Sequence, residues 1–276
     1  MRWPLTYWRW LFAPSVPATE ATTGDPQRDR GAYLVESLGH CGACHTPRAI
    51  TLQEKSLTDE GGAVYLSGGQ VNNYVASDLR GDNVTGLGSW TEEDIVQFLK
   101  TGRDAPTAAF GGMTDVVQHS TQFMTNADLH AVAHYLKSLP ARSQDQFTYA
   151  SATGAALAAG NITSAGALDY LNNCSACHLS SGEGYASTFP VLAGNPVVDA
   201  ADPSSLISIV LHGNGEVATH DVATRFTMPP FDWRLNDQNV ADVVTFIRSS
   251  WGNQASAVTA EQVAKIRAAP RAPASP

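Results

Sequence analysis

One pattern of five residues occurs twice in this chain, as Cys41-Gly-Ala-Cys44-His45 and as Cys174-Ser-Ala-Cys177-His178. Two cysteines three positions apart sit on one helical turn, a spacing that lets both thiols add to the vinyl groups along one edge of a porphyrin. The histidine that follows at once is then held beneath the iron as an axial ligand. The C-x-x-C-H pattern is thus an attachment signature for a c-type haem. The two copies use all 4 cysteines of the chain, so none remains for a disulfide or a nucleophile.

Other chemistries use the same residue types. Two C-x-x-C pairs can close one tetrahedral zinc site, but 132 residues separate Cys41 from Cys174, and each second cysteine is followed by a histidine. A thioredoxin-like redox motif accounts for one C-x-x-C and not for two. Two covalently attached haem c groups with their irons are the expected cofactors. Cys41, Cys44, Cys174 and Cys177 would bind them, with His45 and His178 as iron ligands.

At 276 residues the chain has room for two domains with a core each, and 43 % hydrophobic against 16 % charged residues reads as globular. A net charge of −9 argues against a nucleic-acid partner, which needs a basic face. It is read chiefly as solubility, with steering toward a basic patch on a redox partner as the lesser reading. No stretch is long and apolar enough to span a bilayer. The opening MRWPLTYWRWLF, with its aromatic residues and two arginines, is broken by Pro4 and Arg9 and makes a poor signal-peptide core. It suits either contact with a membrane surface or partner, or a helix packed on its own protein.

Periodicity then organises the chain. Tyr33, Leu34, Val35 and Leu38 fall at helical spacing and lead into Cys41. Thr91 with acidic residues behind it starts a helix that stops at Gly102. Thr125-Asn126 starts another, with Leu129, Val132, Leu136 and Leu139 on one stripe before Pro140. The second half repeats the plan with helices over about 165–173, 203–211 and 237–250. MTNADLHAVAHYLKSLP is matched by LNDQNVADVVTFIRSSW, an internal duplication. The expected divisions are 1–30, an aromatic segment and connector; 31–140, a first domain; 141–160, a linker; 161–251, a second domain; and 252–276, a mobile tail.

A second axial ligand is sought among the 4 methionines. Met228, in Arg225-Phe-Thr-Met-Pro-Pro230, lies where paired prolines stiffen a loop, and is the candidate in the second domain. In the first, Met113 follows Gly111-Gly112, read as a flexible turn that lets the backbone approach a porphyrin. Met124, just before a helix cap, reads as packing, and His119 is a third candidate. Trp90 and Trp233 are candidates for packing on haem edges, and Arg48, Arg80 and Arg103 for pairing with propionates.

The stretches RGAYLVESLGHCGACHTPR, GLGSWTEEDIVQFLKTGR and GGMTDVV resemble the second haem domain of the three-haem cytochrome c subunits of bacterial membrane-bound alcohol, aldehyde and gluconate dehydrogenases. YLNNCSACHLSSGEGYASTFPVLAGNPVV and MPPFDWRLNDQNVADVV resemble the third. The resemblance covers nearly the whole chain and implies an all-α fold of two tandem class I cytochrome c domains. It implies Met113 and Met228 as distal iron ligands. It also implies single-electron transfer, without catalysis by this chain, from a flavin, quinoprotein or molybdenum dehydrogenase subunit to ubiquinone, another cytochrome or a terminal oxidase.

That family carries three C-x-x-C-H motifs where this chain has two. The third haem would come from another polypeptide, be missing from a two-haem variant, or precede the start of the sequence. A periplasmic location beside the inner membrane follows, because haem is attached outside the cytoplasm. A di-haem enzyme such as a peroxidase is the alternative.

Overall fold

The computed structural model describes residues 3–12, 23–71, 73–104 and 107–270. Much of the expected connector therefore lies outside the described residues. Helix α1 (Trp3–Phe12) buries no residue. The indole Nε1 of Trp8 donates to the Thr51 carbonyl at 2.7 Å, while Trp3, Leu5, Tyr7, Trp10 and Leu11 are exposed. Among the described residues no helix is long and apolar enough to cross a membrane.

Asp25 starts the next helix. Its carboxylate accepts from the N–H groups of Gln27 and Arg28, both at 3.1 Å, and Pro26 supplies a pre-set φ at the first position. Helix α2 (Pro26–Ala32) continues into a wider π-helical stretch, Tyr33–Leu38, which buries Leu34 and Val35. The short α3 (Gly42–His45) follows. A hairpin of β1 (Gly69–Val71) and β2 (Tyr74–Ala76) comes next. Then α4 (Glu92–Thr101) opens on a reciprocal capping box between Thr91 and Asp94 and closes at Gly102. A two-residue ribbon of β3 (Arg103–Asp104) and β4 (Thr107–Ala108) leads to α5 (Gly112–His119) and to α6 (Asn126–Ser138), capped by Thr125.

The second half runs α7 (Ala152–Ala158), α8 (Ala165–Asn173), α9 (Ser175–His178), α10 (Pro196–Asp199) and α11 (Ser204–His212). A second ribbon, β5 (Asn214–Gly215) with β6 (Thr227–Met228), precedes α12 (Asp237–Arg248) and α13 (Ala260–Ala268). The duplication is now spatial. In each half the helix entering C-x-x-C-H lies on the closing helix, α2 on α6 and α8 on α12.

Both crossings hinge on a glycine. A methyl group on Gly31 would overlap the Ala131 carbonyl oxygen, and one on Gly166 would overlap that of Asp242. Each helix is thereby brought against its partner's backbone, and the two halves keep separate cores. The first includes Val35, Leu129, Tyr135 and Leu136; the second includes Tyr170, Ile207, Val244 and Trp251. Burying a side chain of this size stabilises by about 1.5–3 kcal/mol.

Four expectations change. The segment expected as connector up to residue 30 already turns helical at Pro26, because Asp25 caps α2 there. The alanine-rich stretch expected as linker forms α7, and its Leu157 joins the second core. The expected mobile tail contains α13, opened by a capping box between Thr259 and Gln262, with Val258, Val263 and Ile266 buried in that core. The glycine turn before Met113 is the start of α5.

The halves also touch each other. The amide of Val75 donates to Ser205 Oγ at 2.7 Å, and Arg103 pairs with Glu216 at 3.0 Å with both side chains buried. Removing one partner of such a pair costs about 3–5 kcal/mol, because the other charge is left buried alone.

Two outcomes follow from this packing. Gly31→Ala and Gly166→Ala should each lose about 2 kcal/mol or more in urea unfolding of the holoprotein, while Gly112→Ala, which meets nothing within 4 Å, should stay near neutral. The second concerns His134, which sits between Asp25 and Glu92 at 2.9 Å from each carboxylate. The hydrogen bond to Asp25, then that to Glu92, raises its pKa above the ordinary 6.5. Its stabilisation is therefore complete below that value and lost as pH rises through the raised folded value. The stability gap between the parent and His134→Gln should be widest near about pH 6 and narrow by about pH 9. A gap constant over that range would contradict the assignment.

Candidate haem sites

In each half the closing of one helical turn presents the motif. The amide of His45 donates to the Cys41 carbonyl at 2.9 Å and that of His178 to the Cys174 carbonyl at 3.0 Å, so cysteines and histidine share one turn. Nδ1 of His45 lies 2.7 Å from the Ser77 carbonyl oxygen, and Nδ1 of His178 lies 2.9 Å from that of Pro190. A carbonyl oxygen only accepts, so Nδ1 carries the proton in both rings and Nε2 keeps its lone pair. Burial pushes both histidine pKa values down, with the carbonyl bonds opposing in part. The result is two neutral, oriented imidazoles whose Nε2 has no hydrogen-bond partner among the described residues. A backbone carbonyl behind the imidazole is the arrangement that orients a metal-ligating histidine.

No disulfide joins any of the four cysteines. Burial pushes the Cys41 thiol up to about 11 and the Cys174 thiol up to about 12. Among the described residues no three His, Cys, Asp or Glu side chains converge as a metal cluster, so the two C-x-x-C pairs do not form one zinc site. The donor set fits haem c.

The structure brings Cys174 and Met228 onto the same core, with Leu171, Phe231 and Phe246 beside them. In the first half Cys41 packs on the main core together with Met124. Met113 instead packs on a small cluster of Ala109, Val117 and Val217, which Phe98 joins to the main core. His119 is exposed.

The suggested propionate partners are otherwise engaged. Arg80 donates to the carbonyls of Gly62, Tyr65 and Pro140, Arg48 to those of Ala43 and Leu52, and Arg103 pairs with Glu216. Trp90 is buried against Phe98, with ring centroids 5.7 Å apart, whereas Trp233 is 75 % exposed. The Ser77 and Pro190 carbonyls were not among the residues the sequence pointed to. They are backbone groups 32 and 12 residues from their histidines, and a side-chain pattern does not encode them.

Comparison with known proteins agrees with this chemistry. Residues 163–251 match the cytochrome c family, so a cytochrome c domain is present there. The chain is 52 % identical over 274 residues to the gluconate 2-dehydrogenase cytochrome c subunit of Pantoea cypripedii, covering 97 % of this chain and 62 % of that protein. It is 50 % identical to the cytochrome c subunit of the quinone alcohol dehydrogenase of Gluconacetobacter polyoxogenes, over 97 % and 58 %. Its identity to the fructose dehydrogenase cytochrome subunit of Gluconobacter japonicus is 32 %, over 87 % and 52 %. The chain thus spans about six-tenths of the length of the first two relatives and about half of the third. It is thus similar to the cytochrome subunits of gluconate, alcohol and fructose dehydrogenases.

Met124→Ala should cost about 1–2 kcal/mol in urea unfolding, as expected for a half-buried core side chain, and leave the visible spectrum of the holoprotein unchanged. A spectral change would make Met124 an iron ligand.

Proposed function

We propose that the chain is a di-haem c-type electron carrier of the periplasm. It would relay single electrons from the catalytic subunit of a membrane-associated dehydrogenase to ubiquinone, another cytochrome or a terminal oxidase. Cys41 and Cys44 hold one haem and Cys174 and Cys177 the other. His45 with Met113, and His178 with Met228, complete the two iron coordinations. The haems supply the one-electron chemistry when bound; the protein holds, orients and shields them.

The observation that carries this reading is the matched pair of Nδ1–H to carbonyl bonds at His45 and His178. They leave each Nε2 with its lone pair available directly after a C-x-x-C signature. The relatives' names support a dehydrogenase partner acting on gluconate, an alcohol or fructose. The exposed aromatic face of α1 supports contact with that partner or with the membrane surface.

Redox titration of the holoprotein should take up two electrons per chain, one per haem. The Cys174→Ala/Cys177→Ala variant should take up one. Neither protein should bind cyanide rapidly or turn over peroxide. Rapid high-spin conversion with peroxide turnover would replace the carrier by the di-haem peroxidase.

A further inference from the structure

The segments that carry Met113 and Met228 meet each other where the two halves touch, and one side chain joins them. Asn214 stands opposite Met228 in the β5–β6 ribbon. Its side-chain Nδ2 donates to the Ala109 carbonyl at 3.0 Å, across the boundary between the halves. Ala109 is held from its other side too, its own amide donating to the Gly102 carbonyl at 2.7 Å. Four residues beyond Ala109 comes Met113, whose amide donates to the Phe110 carbonyl at 3.2 Å. Val217, three residues beyond Asn214, is buried with Ala109 and Val117 in the cluster on which Met113 packs.

The surroundings restrict slip between the segments. The ribbon extends past its named strands: the amide of Glu216 donates to the Phe226 carbonyl at 3.0 Å, and that of Phe226 to Glu216 Oε2 at 3.3 Å. Arg103, from the ribbon that leads to Met113, pairs with the same carboxylate and lies 5.6 Å over the Phe226 ring. It also donates to the Thr224 carbonyl. The backbone of Met228 runs against Gly213 so closely that a methyl group there would overlap its carbonyl. A shift of Met228 along its ribbon must move Asn214, and Asn214 pulls on Ala109.

We propose that Asn214 is a positioning residue for both distal methionines, so that a residue of the second half sets the coordination of the first haem. This rests on the reading of Met113 and Met228 as iron ligands. Directional hydrogen bonds to backbone near a ligand tune its placement, and through it the potential of the metal.

The test uses the full chain with both haems attached. Reduced-state proton NMR reports an iron-bound methionine as a methyl signal shifted strongly by the porphyrin ring. Met113→Leu and Met228→Leu assign the two signals, and potentiometric titration gives each haem's midpoint. Asn214→Asp keeps the side chain's size and removes the donor. It should move the Met113 signal and change the first haem's reduction equilibrium about tenfold, which is ~59 mV for a one-electron couple. Asn214→Gln keeps a donor and should hold both nearer the parent.

Should Asn214→Asp not accumulate with both haems, Asn214→Ala is read in the same way. A first haem unmoved by loss of the donor, or moved equally by Asp and Gln, overturns the proposal. A parent protein that lacks either methionine signal overturns the ligand reading itself.

Discussion

Each half of this protein depends on one helix crossing. The helix that delivers C-x-x-C-H must lie against the backbone of the closing helix, and only glycine leaves room, at Gly31 over Ala131 and at Gly166 over Asp242. Close approach of backbones turns the following residues inward, where Leu34 and Val35 or Ala167 and Tyr170 find a core. It also fixes where the next turn emerges, and therefore where His45 and His178 point. From there one carbonyl behind each ring decides which nitrogen remains to bind a metal.

Much of this was legible in the sequence because the signals were long or chemically singular. Several helices appear close to the positions that apolar spacing and caps indicate, with Thr91 and Thr125 serving as caps, whereas α2 starts earlier than expected, at Pro26. What escaped had weaker signals. Helix α7 is short and made of small residues, so it carries almost no periodicity. Helix α13 did carry one: Thr259 followed three residues later by Gln262 is a capping box, and Val263 and Ile266 share a face. The terminal alanines and prolines masked it.

The contact between the halves was invisible for a different reason. It is built from two-residue ribbons, from a buried ion pair 113 positions apart and from serines that reach backbone across the boundary. None of these has a period. Buried charges are costly unless they are matched, so Arg103 and Glu216 allow few alternative arrangements of the two ribbons. Met113, which the sequence placed on a loose turn, stands in the first turn of α5 and packs with Val217 of the other half. Its surroundings thus belong to both halves, while the Met228 side chain packs on the second core.

The most direct measurement is the intact mass of the purified holoprotein, followed by mass mapping of its proteolytic peptides. Two haems should be found, one on the peptide holding Cys41 and Cys44 and one on that holding Cys174 and Cys177. A chain with either pair as unmodified thiols, or with all four cysteines around one zinc ion, would contradict the reading of the two halves as haem-binding copies of one another.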